Sequence, residues 1–556
     1  MNKHSEKSSL PKDFFLLNEP EFSNPDDPNR PNRLCICFSD VHFTDGTVGN
    51  QSAEAVVWEN VFNRIQDLCV LHDIDELTLL LVGDVADMIR TAEWSENGVY
   101  PWDRDNAQFN GILQKIMRGI INKHSVPPKP CENPGFFYWL QHLPQALEGH
   151  EYKSRKSRIA KIQTLVLLGN HDKEMFADDE TLKMFYKACL GRSVDNHSEN
   201  RLTDDYRRWL GKMYFGDENH YLDPERQSVP WLPFYWGDRG FRLFVTHGQW
   251  RDEDNSRRIA PQGGRPGWKA GDGWNLDIWR QLKYAPFTES CFGDTVAAGV
   301  LSGFIFRSKR RLQELPATAP EEKEEIARLM KILDELDLYR PTYAAVGRII
   351  KETWRLRTLG AGLVAARDII ENELLDSVHN WLGWDFTLES AGSVLKVGLR
   401  IARVLVSVIK LLGARIELGF LYLMMWGMTQ LKQGLFHISD APSYKEMKAF
   451  PTFLQAYRDY GFRIHGEGHT HIPLEEELYF KQPDTPKDRK SYTYINFGTW
   501  RDQIVIARKR KYRRRGVGRA LCVLDLLPDI ECGDEERRFA YWVEDILTWG
   551  DHLDRF

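Results

Sequence analysis

Short apolar runs recur along the chain, and each ends in a small polar cluster. They are residues 34–38 before Asp40 and His42, 77–82 before Asp84 and Asp87, 164–168 before Asn170 and His171, 243–245 before His247, 463–465 before His469 and His471, and 494–495 before Asn496. Short β-favouring runs bounded by glycine and Asp or Asn predict buried strands followed by tight loops. Because a sheet fixes the geometry of the loops at its edge, these clusters are candidates for a functional site.

A different pattern occupies the segment between His247 and His469, which is far longer than a connecting loop. From Pro320 onward the apolar positions follow helical spacing, at Ile326, Leu329, Met330, Leu333 and Leu336. Residues 394–412 are mainly apolar, with one narrow polar stripe of Lys396, Arg400, Arg403, Ser407 and Lys410, and residues 418–431 carry no charge. The sequence therefore predicts a mainly helical insertion. No stretch of the sequence reaches 18 uncharged apolar residues, so a membrane-spanning helix is not predicted.

The composition limits the size and the class of the protein but indicates no function. The 556 residues suit roughly two to four units of ~150 residues. Hydrophobic residues make up 42% and charged residues 28%, which excludes a disordered or fibrous chain. Lys and Arg number 74 against 80 Asp and Glu, so the net charge is −6 and offers no global attraction to nucleic acid.

The cysteines and the N-terminus favour a reducing, cytoplasmic setting. The chain has 8 cysteines and no C-x-x-C pair, which indicates neither a disulfide scaffold nor a thiolate zinc module. Residues 1–32 are rich in Ser, Pro, Asn and Asp and lack the apolar stretch of a signal peptide, so we expect a flexible polar tail there.

The polar clusters share an oxygen-plus-imidazole chemistry without thiolate. The candidate ligands are Asp40, His42, Asp84, Asn170, His247, His469 and His471. Such donors suit Mn, Fe or Zn better than Ca or a structural zinc cage. These are more ligands than a protein usually supplies to one ion. Two divalent or trivalent ions ~3.5–4 Å apart that share a carboxylate would use all of them.

The ordered motifs resemble those of the calcineurin-like metallophosphoesterase superfamily, in its bacterial form. Residues 40–42 match D-x-H, 83–87 match G-D-x-x-D, 169–172 match G-N-H-D, 247–248 match H-G, and 468–471 match G-H-x-H. The resemblance covers residues 34–248 and 461–500. It implies an α/β (α+β) fold, in which a β-sandwich flanked by helices is interrupted by the insertion. The expected units are the tail 1–32, the catalytic parts 33–249 and 446–556, and a helical insertion or cap 250–445.

The resemblance also implies roles for individual residues. One ion would be held by Asp40, His42, Asp84 and His471, and the other by Asp84, Asn170, His247 and His469, with Asp84 bridging. A hydroxide activated by the two ions would attack phosphorus while His171 assists the leaving group. Asp172 is expected to hold the His171 imidazole, and Asp87 to act from outside the ligand set.

The expected activity is hydrolysis of a phosphomonoester or a phosphodiester. The second motif lacks the Asp-Arg-Gly continuation of Ser/Thr protein phosphatases, and His171 stands where the similar bacterial UDP-diacylglucosamine hydrolases usually have Arg. Three alternatives stay open. They are a membrane-surface hydrolase of a lipid-linked phosphate or pyrophosphate, a nuclease, and a metal-containing regulatory protein without activity.

Two local basic surfaces bear on partners. The helical residues 394–431 are compatible with buried packing, with a dimer interface or with an anionic membrane surface. Residues 508–515 place seven cations between two strand-like segments, 503–507 and 520–526, which predicts a charged hairpin turn. Anionic lipid would bind such a turn, and the protein would then be peripheral to the membrane. No array of base-stacking aromatics accompanies it, which argues against sequence-specific nucleic-acid binding.

Overall fold

The computed structural model describes residues 31–49, 52–125, 133–191, 204–223, 232–252, 254–256, 284–316, 319–340, 343–358, 363–411, 461–478, 492–506, 512–528 and 538–547. Within these ranges the chain forms mixed sheets covered by helices, which confirms the predicted α+β class.

The strands fall into two large sheets and two small ones. In chain order they are β1 (Arg33–Phe38), β2 (Glu76–Val82), β3 (Glu151–Tyr152), β4 (Arg155–Lys156), β5 (Lys161–Leu167), β6 (Tyr235–Asp238), β7 (Leu243–Thr246), β8 (Tyr339–Arg340), β9 (Ile464–Glu467), β10 (Leu474–Leu478), β11 (Tyr492–Asn496), β12 (Gln503–Ile506), β13 (Tyr512–Arg515), β14 (Val517–Leu526) and β15 (Arg538–Leu547). One five-stranded sheet has the order β15-β14-β1-β2-β5, and the other has the order β10-β11-β9-β7-β6. All of the strands predicted before the polar clusters are present.

Parallel pairing brings the polar clusters together. In the first sheet β1, β2 and β5 are parallel neighbours, and in the second sheet β7, β9 and β11 are parallel neighbours. The carboxyl ends of parallel neighbours lie at the same edge of a sheet. The loops after these strands therefore share one edge of each sheet.

The two large sheets pack face to face. Alternate residues of a strand point to opposite faces, and Cys35 and Cys37 of β1 lie in one cluster with Leu243 and Val245 of β7. Residues of β1 on the other face, such as Leu34, pack against helices. Both faces of β1 and β2 are thus buried, which explains their nearly continuous apolar sequences.

The helices form an outer layer and a separate helical body. They are α1 (Ala55–Leu71), α2 (Glu93–Asn97), α3 (Phe109–His124), α4 (Phe136–Leu147), α5 (Asp179–Met184), α6 (Asp204–Phe215), α7 (Ala285–Thr288), α8 (Phe292–Asp294), α9 (Gly303–Gln313), α10 (Pro320–Glu335), α11 (Tyr343–Thr358), α12 (Val364–Gly383), α13 (Asp385–Ser390) and α14 (Ser393–Leu411). Helices α1, α3 and α4 cover the first sheet.

The predicted insertion is mainly helical where the structure describes it, with one short strand, β8. Its helices α9 to α12 share a hydrophobic cluster of their own, which also includes Val48, Ala92 and Ile504 from the flanking parts. Strand β8 of the insertion pairs in parallel with β12 through the register Ile504 to Tyr339. The insertion is therefore joined to the rest of the molecule by both side-chain packing and backbone hydrogen bonds.

The basic run differs from its prediction. Strand β13 takes up residues 512–515 and pairs antiparallel with β12, so the second half of the run is strand and not turn. Arg514 forms ion pairs with Asp502 and with Glu335 of α10. These carboxylates neutralise the charge of Arg514, which the sequence predicted to lie on an unpaired basic surface. Residues 507–511 lie outside the described residues.

Helix α14 confirms the predicted helix but turns part of its apolar surface outward. Leu399 and Ala402 are buried, whereas Val397, Ile401 and Val404 are 57%, 65% and 65% exposed. The uncharged residues 418–431 fall outside the described ranges. Among the helices that the structure describes, none combines the length and the hydropathy that a membrane crossing requires.

Candidate metal centre

The loops that follow the parallel strands have an unusual backbone. Asp40, His42, Asp84, His469 and His471 have φ values of 53°, 48°, 52°, 68° and 59°, in the left-handed region. Such a conformation costs a residue other than glycine about 1–3 kcal/mol and persists where the surrounding structure imposes it. All five are residues that the sequence predicted as ligands. Strain of this kind is concentrated at functional sites.

The motif glycines allow these loops to approach one another. A Cβ on Gly468 would lie 1.9 Å from Ser39 Oγ and 2.2 Å from Asp40 Oδ2, and a Cβ on Gly169 would lie 2.2 Å from Asp84 N. Any side chain at either position would separate the loops. The glycines that precede the Asn170 and His469 positions are therefore required by packing.

The first cluster contains Asp40, His42, Asp84 and His471, whose donor atoms all lie within 4.8 Å of one another. His42 Nε2 is 3.0 Å from His471 Nε2, and His471 Nε2 is 3.2 Å from Asp40 Oδ1. These are the four side chains that the resemblance assigns to one ion.

A second cluster shares Asp84 with the first and adds His247 and His469. Asn170 lies between the two histidines, with its Oδ1 3.3 Å from His247 Nε2 and 2.9 Å from His469 Nδ1. Asp84 Oδ2 is 3.4 Å from His247 Nε2 and 3.6 Å from His42 Nε2. One carboxylate oxygen therefore faces both clusters, which is the position that a bridging ligand requires.

The protonation of His42 shows why this centre suits a cation. Burial lowers the pKa of the His42 imidazole to about 3, against the opposing effects of Asp87 and Asp84, so the ring is neutral. Its Nδ1 lies 2.9 Å from Asp87 Oδ2, and a carboxylate can only accept, so the proton is on Nδ1. The bare Nε2 then faces the oxygens of Asp40 and Asp84. Converging lone pairs of this kind fit a metal ion.

His247 leads to the same conclusion for the second cluster. Its Nδ1 donates to the carbonyl of Val82 at 2.8 Å, which directs Nε2 toward Asp84. Burial acts to lower the pKa of His247, but Asp84 and Asp40 outweigh it and raise the pKa to about 10. The imidazolium thus supplies positive charge that the two buried carboxylates require, and a bound cation would supply it instead. The buried Asp and His clusters could therefore hold metal ions.

Asp87 is the residue that organises the histidines. Its Oδ2 accepts from His42 Nδ1 at 2.9 Å, and its Oδ1 accepts from His171 Nδ1 at 2.8 Å. Burial alone would raise the pKa of the Asp87 carboxyl, but His171 and Arg90 outweigh that effect and hold the pKa well below its usual range. The carboxylate is therefore ionised and orients both imidazoles.

The role expected for Asp172 is corrected by the structure. Asp172 was expected to hold the His171 imidazole, which Asp87 holds instead. The Asp172 carboxylate accepts backbone N–H groups from Val85 and Ala86, both at 2.8 Å, and from Gly169 at 3.0 Å. It therefore fastens the loop after β2 to the loop after β5. Neighbours in sequence need not be partners in space, because successive residues of a loop point in different directions.

We expect Asp172→Ala to lower the free energy of unfolding of the metal-free protein by about 3 kcal/mol or more, because buried N–H groups would lose their acceptor. Denaturant unfolding, followed by fluorescence, measures the change. Asp172→Asn is the matched control, since its amide keeps one oxygen for Val85 and Ala86 and should lose less. Equal stability of Asp172→Ala and the wild type would contradict this structural role.

The structure adds residues that sequence reasoning missed. Asp252 Oδ2 is 3.0 Å from His469 Nε2, which leaves Nδ1 of that ring for the centre. Lys173 Nζ donates to Asn170 O at 2.6 Å and pairs with Asp294 of α8 at 2.8 Å. Arg90, three residues after Asp87, pairs with it at 3.0 Å. Arg90, Lys173 and Asp252 each lie within four residues of a predicted motif, and that proximity is the sequence signal that could have found them.

Comparisons with protein-family models, with curated proteins and with solved structures found no match to this chain. The motifs and the geometry of the centre therefore carry the functional interpretation. The side chains of Asp40, His42 and His247 are fully buried, whereas those of Asp252, His171 and His471 are 16%, 11% and 11% exposed.

Proposed function

We propose that the protein is a metal-dependent phosphoesterase that uses two ions of Mn, Fe or Zn. The observation that carries the proposal is the convergence of two ligand clusters on one oxygen of Asp84. The two face-to-face sheets, with every ligand loop at the carboxyl ends of parallel strands, agree with the sandwich implied by the calcineurin-like resemblance. This support is independent of the motifs, because no spacing rule dictates the shared oxygen.

The ligand sets follow from the clusters. Asp40, His42, Asp84 and His471 would hold one ion, and Asp84, Asn170, His247 and His469 would hold the other. When bound, the two ions would supply Lewis acidity to the phosphoryl group and to the attacking water. Asp87 and Asp252 orient the ligand histidines through their second ring nitrogens, and such contacts typically strengthen metal binding 10–100-fold.

We assign His171 the role of assisting the leaving group, on the basis of its contacts. Its Nδ1 is held by Asp87, and its side chain remains partly exposed beside the His42 ring, at 4.8 Å between ring centroids. Because Nδ1 is bonded to Asp87, Nε2 is the ring nitrogen left to donate a proton to the departing oxygen. The backbone N–H of His171 donates to Asp84 Oδ1 at 2.8 Å, which fixes the distance between the acid and the centre.

A panel of substrates tests the proposed activity. The full-length protein, loaded with Mn, Fe or Zn, is assayed on a phosphomonoester, a phosphodiester, a lipid-linked nucleotide diphosphate and single-stranded DNA, with Asp84→Asn as the blank. We expect hydrolysis of at least one ester by the wild type and none by the blank. Metal binding without hydrolysis of any of them would favour the regulatory alternative.

One observation favours a second candidate, in which the hydrolase works at an anionic membrane surface on a lipid-linked phosphate or pyrophosphate. On α14 the exposed Val397, Ile401 and Val404 form one stripe, and Arg400 is exposed beside it. An interfacial helix has such an apolar stripe flanked by cations. The nuclease alternative has less support, because Arg514 of the basic run is already paired with carboxylates.

Vesicle binding tests the second candidate. We expect the protein to co-sediment with vesicles that contain anionic phospholipid, and a triple variant with Ser at positions 397, 401 and 404 to bind about tenfold less. Trp354→Ser is the matched control, because Trp354 is 66% exposed on α11 and lies outside the stripe. The membrane candidate fails if the wild type ignores anionic vesicles or if the triple variant binds as tightly.

A further inference from the structure

The helical insertion reaches the candidate centre through a buried carboxylate. Asp337 lies in the 3-10 turn Leu336–Leu338, directly after α10. Its Oδ2 is 2.8 Å from Arg90 Nε and 2.6 Å from Arg501 Nη2. The side chains of Arg90, Asp337 and Arg501 are only 10%, 5% and 0% exposed. Charges buried to this extent depend on their partners, so loss of one is felt by the others.

Arg90 carries this contact to the histidines. Its Nη1 lies 3.0 Å from Asp87 Oδ2, the oxygen that also accepts from His42 Nδ1. The other oxygen of Asp87 accepts from His171 Nδ1. A continuous row of contacts thus runs from the insertion to the residue that assists the leaving group. Its members are Asp337, Arg90, Asp87 and His171.

The guanidinium of Arg90 lies between two carboxylates. Its Nη1 donates to Asp87 Oδ2, and its Nε forms an ion pair with Asp337 at 2.8 Å without a hydrogen bond between them, so the charge of the group is shared between both. Without the charge of Asp337, the Arg90 guanidinium is free to rotate and to form a bidentate pair with the Asp87 carboxylate. Each Asp87 oxygen serves a different histidine, and any rotation of that carboxylate would displace the His171 imidazole.

We infer that Asp337 is a positioning residue for His171. The insertion then contributes to the geometry of the active site and does not merely cover it. Its kinetic consequence rests on the proposed phosphoesterase function. Its structural consequence, a fixed loop after β2, does not depend on that function. The two consequences need separate measurements.

Hydrogen exchange measures the structural consequence on the full-length, Mn-loaded protein. Ile89 and Arg90 donate their backbone N–H groups to Asp87 Oδ1, so the loop loosens if that carboxylate turns. We expect amides of residues 84–90 to exchange about tenfold faster in Asp337→Asn. Glu335→Gln is the matched control, because Glu335 is buried at the end of the same helix but pairs with Arg514. It should leave exchange in residues 84–90 unchanged.

Leaving-group dependence measures the kinetic consequence. An alkyl phosphate needs a proton on its leaving oxygen, whereas a p-nitrophenyl phosphate hardly does. We expect Asp337→Asn to lower kcat on the alkyl ester about five- to tenfold, with KM unchanged and with less than about a twofold effect on the nitrophenyl ester. Glu335→Gln should keep the wild-type ratio. A merely structural role would slow both esters equally.

A second variant and a double variant complete the test. Arg90→Lys keeps the charge but offers a single point that cannot span both carboxylates, so it should repeat the leaving-group effect even if Asp337→Asn does not fold. In a His171→Ala background, Asp337→Asn should cause no further change of the ratio. The inference is overturned if Asp337→Asn and Arg90→Lys both behave like Glu335→Gln. If the wild type hydrolyses no ester, the proposed function fails, and the exchange measurement still decides whether Asp337 braces the loop.

Discussion

Asp84→Asn is expected to remove metal binding and to lower phosphoester hydrolysis by at least about 10³-fold. Asp84 is the only residue common to the two clusters of candidate ligands, and its Oδ2 faces both His42 and His247. Burial alone would raise the pKa of Asp84, but His247, His171 and His42 outweigh it and hold the pKa well below its usual range. A neutral amide would bring an N–H donor or an uncharged oxygen to a place where two cations require a shared anion.

Metal analysis and thermal unfolding measure this loss without an activity assay. We expect elemental analysis of the purified protein to find two ions per wild-type chain and fewer than one in the variant. Mn at about 100 times its Kd should stabilise the wild type by about 2.7 kcal/mol for each ion bound and the variant hardly at all.

Asp525→Asn is the matched control for the loss of a buried carboxylate. Asp525 is buried and pairs with Arg33 at the end of β1 opposite to Asp40, so neutralising it should cost stability and leave metal content unchanged. If Asp84→Asn retains both ions or keeps wild-type turnover, the metal site is assigned wrongly.

His171→Ala is expected to lower turnover of an unactivated ester by about 10²–10⁴-fold while leaving metal content unchanged. The imidazole belongs to neither proposed ligand set. It lies beside the His42 ring and is held by Asp87, and these three side chains form a third group that could hold an ion. The loss should be much smaller on a p-nitrophenyl ester, whose leaving group needs no proton. Steady-state kinetics on the two esters, together with elemental analysis, measures these effects.

Asp87→Asn is the informative comparison for that prediction. Asp87 bonds both His42 and His171, so its neutralisation should weaken metal binding and also slow departure of the leaving group. His171→Ala should slow that departure but leave metal binding unchanged. Full activity of His171→Ala on the alkyl ester would refute the acid role. Loss of metal in His171→Ala would instead place that residue among the ligands.

The local features of the fold were predictable because they depend on short-range chemistry. The apolar runs before Asp40, Asp84 and Asn170 are strands, as predicted. Short runs rich in β-favouring residues can be recognised from the local sequence alone. Helix α10 begins at Pro320, where proline at the first position and acidic residues in the first turn mark a helix start.

The direction in which individual side chains point could not be predicted as the strands and helices were. The proximity of His171 and Asp172 in the sequence suggested that they pair, but in the folded loop Asp172 points to backbone N–H groups and Asp87 occupies the position beside the imidazole. Likewise the basic residues before Val517 suggested a free turn, whereas Arg514 lies in a strand and meets Glu335 from the insertion.

The sequence by itself determined the donor types, the glycines between them and the strands that carry them, because each depends on neighbours a few residues away. Only the tertiary structure decided which oxygen of Asp84 faces both clusters, which carboxylate holds His171, and that Asp337 of the insertion reaches Arg90. Those contacts join residues far apart in the chain. Their geometry depends on how parallel strands and a helical insertion pack together, and no local pattern of residues records that packing.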